Sequence, residues 1–327
     1  MDGPEPGPPD SSDPAPPLHL PVMVAEVVEV LRAVPPGVIV DATVGAGGHA
    51  AALLDTLPGR TLIGIDRDDE ALGIAGDTLG RFGDRVTLLR ANFDQLTDAL
   101  GSAAEAQDGV SAVLFDLGVS SMQLDRADRG FSFRGEGPLD MRADRRQALT
   151  ASDVVNDYDE AALTRVLTVY GEERFARRIA RAVVAARPLT TTTELAGVVR
   201  EAIPTPARRR GGHPAKRSFQ AIRIEVNAEL GTLGSAVDAA LDALVPGGRC
   251  AVLTYHSGED RIVKARLNDA VTGGCACPPQ LPCACGAVPR ARLVWRGTRR
   301  PGAAELAGNP RSESARLRAA EKLETSS

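Results

Sequence analysis

The stretch Val38-Ile-Val-Asp-Ala-Thr-Val-Gly-Ala-Gly-Gly-His49 constrains this chain more than any other. Its β-branched start, Val38 to Val40, reads as a buried strand, and Asp41 stands where that strand should end. Three glycines follow, Gly45, Gly47 and Gly48. An alanine-rich helix then runs from about His49 to Leu57 and is closed by Pro58-Gly59. A second apolar run, Thr61-Leu-Ile-Gly-Ile65, ends on Asp66. The pattern is a strand-turn-helix-strand unit with an acid at each strand end. Glycines let backbone approach a ligand, and the helix N-terminus offers unpaired N–H groups. An acid ending the second strand can accept hydrogen bonds from both hydroxyls of a ribose.

Two cofactors and a purely structural turn fit this unit. Gly45-Ala-Gly47-Gly-His-Ala50 matches the dinucleotide pattern of NAD enzymes. Asp41 argues for S-adenosylmethionine instead. Enzymes of that cofactor commonly place an acid near its amino acid group, whereas an acid there would repel a pyrophosphate.

The strands continue the theme. Arg85 to Phe93 reads as a third strand, Gly109 to Asp116 as a fourth and Arg249 to Tyr255 as a fifth, after a Val245-Pro-Gly-Gly248 turn. Three of the first four end on Asp, and strand C-termini line the ligand crevice of a doubly wound sheet. Phe93 suits either the core or the face of an adenine ring. His256 follows the fifth strand, either as a structural residue or at the crevice rim.

The alternation of strands and helices stops at Met122. Asp125 to Arg146 is a polar, glycine-punctuated loop whose aromatics argue against plain disorder. Three helices are predicted next: Tyr158 to Tyr170, Glu172 to Arg187, and one opened by the capping box Thr191-Thr-Thr-Glu194 and ending before Pro204. A helix is also predicted over Val24 to Val34, another over Glu70 to Leu79, one long helix over Phe219 to Leu244, and a short one over Ala315 to Leu323. Residues 1–17, rich in Pro, Asp and Ser, read as a disordered tail. The fold class is therefore α/β: a Rossmann-like domain with a doubly wound sheet, formed by residues 18–124 and 214–327, interrupted by an all-helical domain over residues 125–213.

Charge is uneven. The chain carries a net −5, yet Asp159 to Glu225 holds 13 Lys and Arg against 7 Asp and Glu. A second basic segment lies between Gly286 and Arg318. Such segments either form solvated helix faces or receive a polyanion. No apolar run reaches the ~20 residues that span a bilayer, and no signal peptide is visible, so no membrane partner and a cytoplasmic location are expected. Cys275, Cys277, Cys283 and Cys285 form two C-x-C pairs, a weak zinc candidate against the alternative of uncoordinated or redox-linked thiols. The oligomeric state stays open, a homodimer included.

Blocks along about nine-tenths of the chain resemble one family. They are Asp41-Ala-Thr-Val-Gly-Ala-Gly-Gly-His49, Asp116-Leu-Gly-Val-Ser-Ser121 with Gln123-Leu-Asp125, Arg129-Gly-Phe-Ser-Phe133 and Pro138-Leu-Asp-Met-Arg142. Further on stand Tyr170-Gly-Glu-Glu-Arg-Phe-Ala176, Phe219-Gln-Ala-Ile-Arg-Ile-Glu-Val-Asn227, His256-Ser, Glu259-Asp-Arg261 and Asn309-Pro-Arg311. On these the chain resembles the bacterial 16S rRNA (cytosine-N4)-methyltransferases, the RsmH/MraW family. Gly258 departs from the larger apolar residue usual in its block, and the proline-rich tail before His19 is extra.

The resemblance implies S-adenosylmethionine-dependent methylation of a cytosine amine in the decoding region of 16S rRNA, with the small ribosomal subunit as partner. By motif position it implies cofactor contacts at Gly47, Gly48, His49, Asp66, Phe93, Asp116 and Gln123. Asp116 is the first candidate for a catalytic role, with Ser120, Asp140 and His256 behind it. Two other classes remain open: a non-catalytic rRNA-binding assembly factor that retains the cofactor, and an NAD-dependent oxidoreductase.

Overall fold

The computed structural model describes residues 21–118, 121–208, 213–278 and 284–324. The tail over residues 1–17, Ser120 and Cys283 lie outside them. Seven strands form one sheet: β1 (Val38–Asp41), β2 (Thr61–Asp66), β3 (Val86–Arg90), β4 (Val110–Asp116), β5 (Leu244–Thr254), β6 (Ala291–Leu293) and β7 (Arg316–Lys322). Their order is β3-β2-β1-β4-β5-β7-β6. The first five are parallel, while β7 runs antiparallel to both β5 and β6. Winding reverses between β1 and β4, the switch point where such sheets bind ligands.

Both faces of the sheet are covered, which is why its parallel strands read as continuous apolar runs. Alternate residues go to opposite sides. Val40, Ile63, Val113, Phe115 and Val252 meet the helices Leu96–Ser102, Glu229–Ala243 and Ser257–Thr272. Ile39, Leu62, Leu114 and Leu253 meet Val24–Leu31, Gly48–Thr56 and Asp69–Leu79.

A separate apolar cluster runs from Phe131 to Val226 and forms the core of the helical insertion. The predicted helices appear there as Glu160–Val169, Ala176–Ala185 and Thr192–Ala202. Thr191 caps the third, its side chain accepting from the Glu194 N–H. A helix over Ala151–Asn156, capped in the same way by Thr150, escaped the sequence reading because it spans under two turns.

Three predicted elements are corrected. The single long helix over Phe219 to Leu244 is two, Lys216–Asn227 and Glu229–Ala243, broken at Ala228 with φ 50°. Buried Asn227 explains the break: its side chain donates to the carbonyl of Met141 and accepts from the Ala143 N–H, fixing the chain direction there. The first of the two helices, placed by sequence with the sheet, sends Phe219, Ile222 and Val226 into the insertion core. The predicted helix over Ala315 to Leu323 is strand β7, where Leu317, Ala319 and Ala320 are buried. Pairing with β5 outweighs the helix propensity of alanine. Finally, the Pro-Gly-Gly turn lies inside β5 as a bulge: Leu244 pairs with Val110, and pairing resumes at Arg249 with Ala112.

Candidate functional site

The strand ends bring Asp41, Asp66 and Asp116 to the C-terminal edge of three neighbouring strands. The turn after β1 is possible because Gly45 and Gly47 adopt φ 51° and 83°, conformations that L side chains rarely take. Gly47 caps the helix Gly48–Thr56, which carries His49 into the site.

His49 is held from both sides. Its Nε2 lies 2.8 Å from the Val22 carbonyl, which can only accept, so Nε2 donates. Its Nδ1 lies 3.3 Å from Asp116 Oδ2. A carbonyl on one side and a carboxylate on the other favour the doubly protonated ring. Burial disfavours that charge, but Asp116 and then Asp41 override it and raise the His49 pKa. The other Asp116 oxygen accepts from the Tyr255 hydroxyl at 2.7 Å, and the Asp116 N–H donates to Thr43 Oγ1 at 2.6 Å. Tyr255 stays firmly protonated, first because it is buried and then because Asp116 faces it.

Asp66 accepts from the Gly45 N–H at 3.0 Å on one oxygen and from the Asp68 N–H at 2.9 Å on the other. Each oxygen keeps a free lone pair. Burial raises the Asp66 pKa despite these donors. Asp41 is 1% exposed, and burial pushes its carboxyl up to about 7, against the pull of His49 and the Thr43 N–H.

Asp41 yields a signed prediction. Between its ordinary 3.8 and about 7, the folded chain holds a proton that the unfolded chain releases. Stability therefore falls as pH rises through that window, and the cost persists above it. Asp41→Asn is expected to stabilise the ligand-free protein by roughly 2–4 kcal/mol at pH 8, with the gain gone below about pH 4. Urea unfolding of both proteins across this range checks it; a gain independent of pH refutes it.

Asp116 and Asp41 act on His49 and Asp66 ends the neighbouring strand, so this edge of the sheet is rich in carboxyl groups. That donor set suits the cationic sulfonium and ammonium of S-adenosylmethionine and would repel a pyrophosphate. It also disfavours the oxidoreductase alternative.

The other sequence candidates are more scattered. Phe93 opens a 3-10 turn after β3 and is 9% exposed, its ring meeting Phe115 edge-on at 6.3 Å. Gln123 reaches Asp68 rather than a strand-end acid, donating to its Oδ2 at 2.9 Å. Asp140 accepts from Nε and Nη2 of Arg142, so this weaker candidate has a structural occupation within the insertion. His256 caps the helix Ser257–Thr272, with Nδ1 accepting from the Glu259 N–H and Nε2 3.0 Å from Glu259 Oε1. It too serves the fold.

Sequence reasoning assigned no site role to Thr43, Tyr255, Asp68 or Arg129. Tyr255 was findable, since it ends a strand at the same edge as the acids. Arg129 was not. It is 3% exposed and pairs with Asp68 at 2.8 Å and Glu70 at 3.1 Å while donating to the carbonyls of Arg142 and Ala143. It thus ties the loop that opens the segment 125–213 to the start of the helix Asp69–Leu79. The insertion itself is basic outside: Ile179, Ala180 and Val183 are buried, while Arg174, Arg177, Arg178 and Arg181 are exposed.

Comparisons with known proteins give the family. The model of the MraW methylase family matches residues 17–323. The chain is 50% identical over 310 residues to the ribosomal RNA small subunit methyltransferase H of Heliobacterium modesticaldum, covering 93% of this chain and 98% of that one. It is 52% identical over 323 residues to the protein of the same name from Mycobacterium marinum, covering 94% and 80%. Among solved structures, a putative rRNA-methylase from Clostridium thermocellum aligns at a TM-score of 0.43 and 13% identity, over 94% of this chain and 100% of that one.

Proposed function

The chain belongs to the MraW methylase family, and from that premise we propose that it methylates N4 of a cytosine in the decoding region of 16S rRNA, within the small ribosomal subunit. At the coarser level it is an S-adenosylmethionine-dependent rRNA methyltransferase. The observation that carries the reading is the alignment of Asp41, Asp66 and Asp116 at one edge of the sheet beside its switch point, with His49 against Asp116.

When bound, the cofactor supplies a methyl group on a positive sulfonium, already a good leaving group. The residues must then deal with a poor nucleophile, because the N4 lone pair of cytosine is delocalised into the ring. Accepting a hydrogen bond from N4–H and aligning the amine both favour the pyramidal geometry needed for attack. Asp116 is suited to face the cofactor's positive charge or the amine. Thr43, Tyr255 and His49 hold it in one orientation. Asp66 is placed for ribose hydroxyls. Gly47 and Gly48 shape the turn, and Phe93 and Gln123 complete the proposed set of cofactor contacts. The base must leave its stack to enter such a crevice. The exposed arginines of the helix Ala176–Ala185 offer sequence-independent contacts to phosphates.

The test is transfer from methyl-labelled S-adenosylmethionine to small ribosomal subunits from a strain lacking this modification, followed by nucleoside analysis. Label on N4 of a cytosine is the expected result. Label on another position moves the specificity. Cofactor and subunit binding with no label favours the assembly-factor reading.

A further inference from the structure

The helix Ser257–Thr272 starts beside the crevice and runs about 24 Å to the other end of the sheet. There the chain loops out before returning as β6. The base of the loop is well fixed. Gly273 turns with φ 64°, the Gly274 N–H donates to the Asp269 carbonyl at 3.0 Å, and the Arg290 N–H donates to Ala270 at 2.8 Å. Val288 crosses so close to Gly273 that a Cβ there would sit 2.4 Å from its carbonyl oxygen.

Beyond that base, no described residue between 274 and 290 is buried, and Val288 is 72% exposed. The described residues of the loop therefore contribute no apolar core. Yet the sulfurs of Cys275, Cys277 and Cys285 lie within 4.8 Å of one another, and those of Cys275 and Cys285 are 3.5 Å apart. Tetrahedral ligands at the ~2.3 Å Zn–S distance sit about 3.8 Å from each other. Three soft donors gathered at this spacing match the donor set and separation of a thiolate zinc site.

The geometry points to a structural zinc site formed by the thiolates of Cys275, Cys277 and Cys285, with one further ligand completing the tetrahedron. Binding releases the thiol protons and ties the two ends of the loop together. It leaves the crevice untouched, because the loop lies at the opposite end of the sheet. No methyl-transfer step uses this metal.

The test uses the full chain and zinc itself. Protein purified without added metal, passed over a weak chelator, is analysed for metal content; it is then stripped, reloaded with zinc, and separately loaded with cobalt. The expected result is about one zinc per chain, as for structural thiolate sites, recovered on reloading, with intense thiolate-to-cobalt absorption. Cys275→Ser and Cys277→Ser should each lose the zinc and that absorption while keeping wild-type circular dichroism and methyl transfer. Four outcomes overturn the proposal: no zinc before or after reloading, unchanged zinc in both variants, iron or copper held in place of zinc, or a disulfide among these cysteines in non-reducing peptide maps.

Discussion

Asp116→Asn is expected to lower methyl transfer on the order of 10²- to 10³-fold and to weaken S-adenosylmethionine binding roughly 10-fold or more. The substitution keeps the shape of the side chain, and its amide oxygen can still accept from the Tyr255 hydroxyl. What it removes is a negative charge 3.3 Å from the His49 ring. His49 then loses the strongest influence raising its pKa, and the crevice loses one of its strand-end carboxyl groups. Calorimetry for cofactor affinity and single-turnover transfer separate the two effects. Parallel losses assign Asp116 to the cofactor. Unchanged affinity with lost transfer assigns it to the amine. Unchanged values in both assays would remove Asp116 from the site altogether. Tyr255→Phe should follow the same pattern at smaller amplitude, since it deletes one neutral donor and no charge.

Arg129→Ala is expected to cost about 3–5 kcal/mol, the range for breaking a buried ion pair from one side. That is a large part of the ~5–15 kcal/mol that holds a domain folded. The substitution leaves Asp68, 6% exposed, with only Gln123 and a backbone N–H for its charge. It also frees the carbonyls of Arg142 and Ala143, so the loop that opens the segment 125–213 loses its tie to the start of the helix Asp69–Leu79. Burial pushes the Asp68 carboxyl up, but Gln123 and Arg129 more than reverse this, and its pKa falls below the ordinary value. A depressed acid stabilises above its unfolded pKa, and that contribution disappears as pH falls through the folded one. The gap between wild type and Arg129→Ala in denaturant unfolding should therefore narrow toward the acid end. Asp68→Asn in the Arg129→Ala background should recover part of the loss. A gap that stays constant with pH, or a double variant no better than the single, would disprove the pairing argument.

The parallel half of the fold was legible because its information is local. A β-branched run between turn signals makes a strand wherever both of its faces are covered, and Val38–Asp41, Thr61–Asp66 and Val110–Asp116 each carry theirs in the residues themselves. The Asp at each of these strand ends and the glycines after β1 are written in order along the chain, so the acids could be placed at one edge of the sheet before any fold was seen. The family motifs carried the remainder of the predicted site. The helices of the insertion were also readable, since apolar spacing and the Thr191 capping box act within a few residues.

Only the tertiary structure decided the rest, because those features depend on partners far away in sequence. Whether Arg316–Lys322 is a helix or a strand turns on β5, some 62 to 72 residues away, whose open edge pairs with it. The break at Ala228 turns on Asn227 meeting Met141 and Ala143, 86 and 84 residues earlier. His256 caps a helix and Asp140 pairs with Arg142, contacts that residue type alone does not announce. Asp116, in turn, is oriented by Tyr255, 139 residues later, and by Thr43, 73 residues earlier. The sequence determined which groups stand at the crevice, since backbone periodicity fixes where a strand ends. Which of them face one another, and in what charge state, only the folded chain decided, because hydrogen bonds and burial are set by proximity in space.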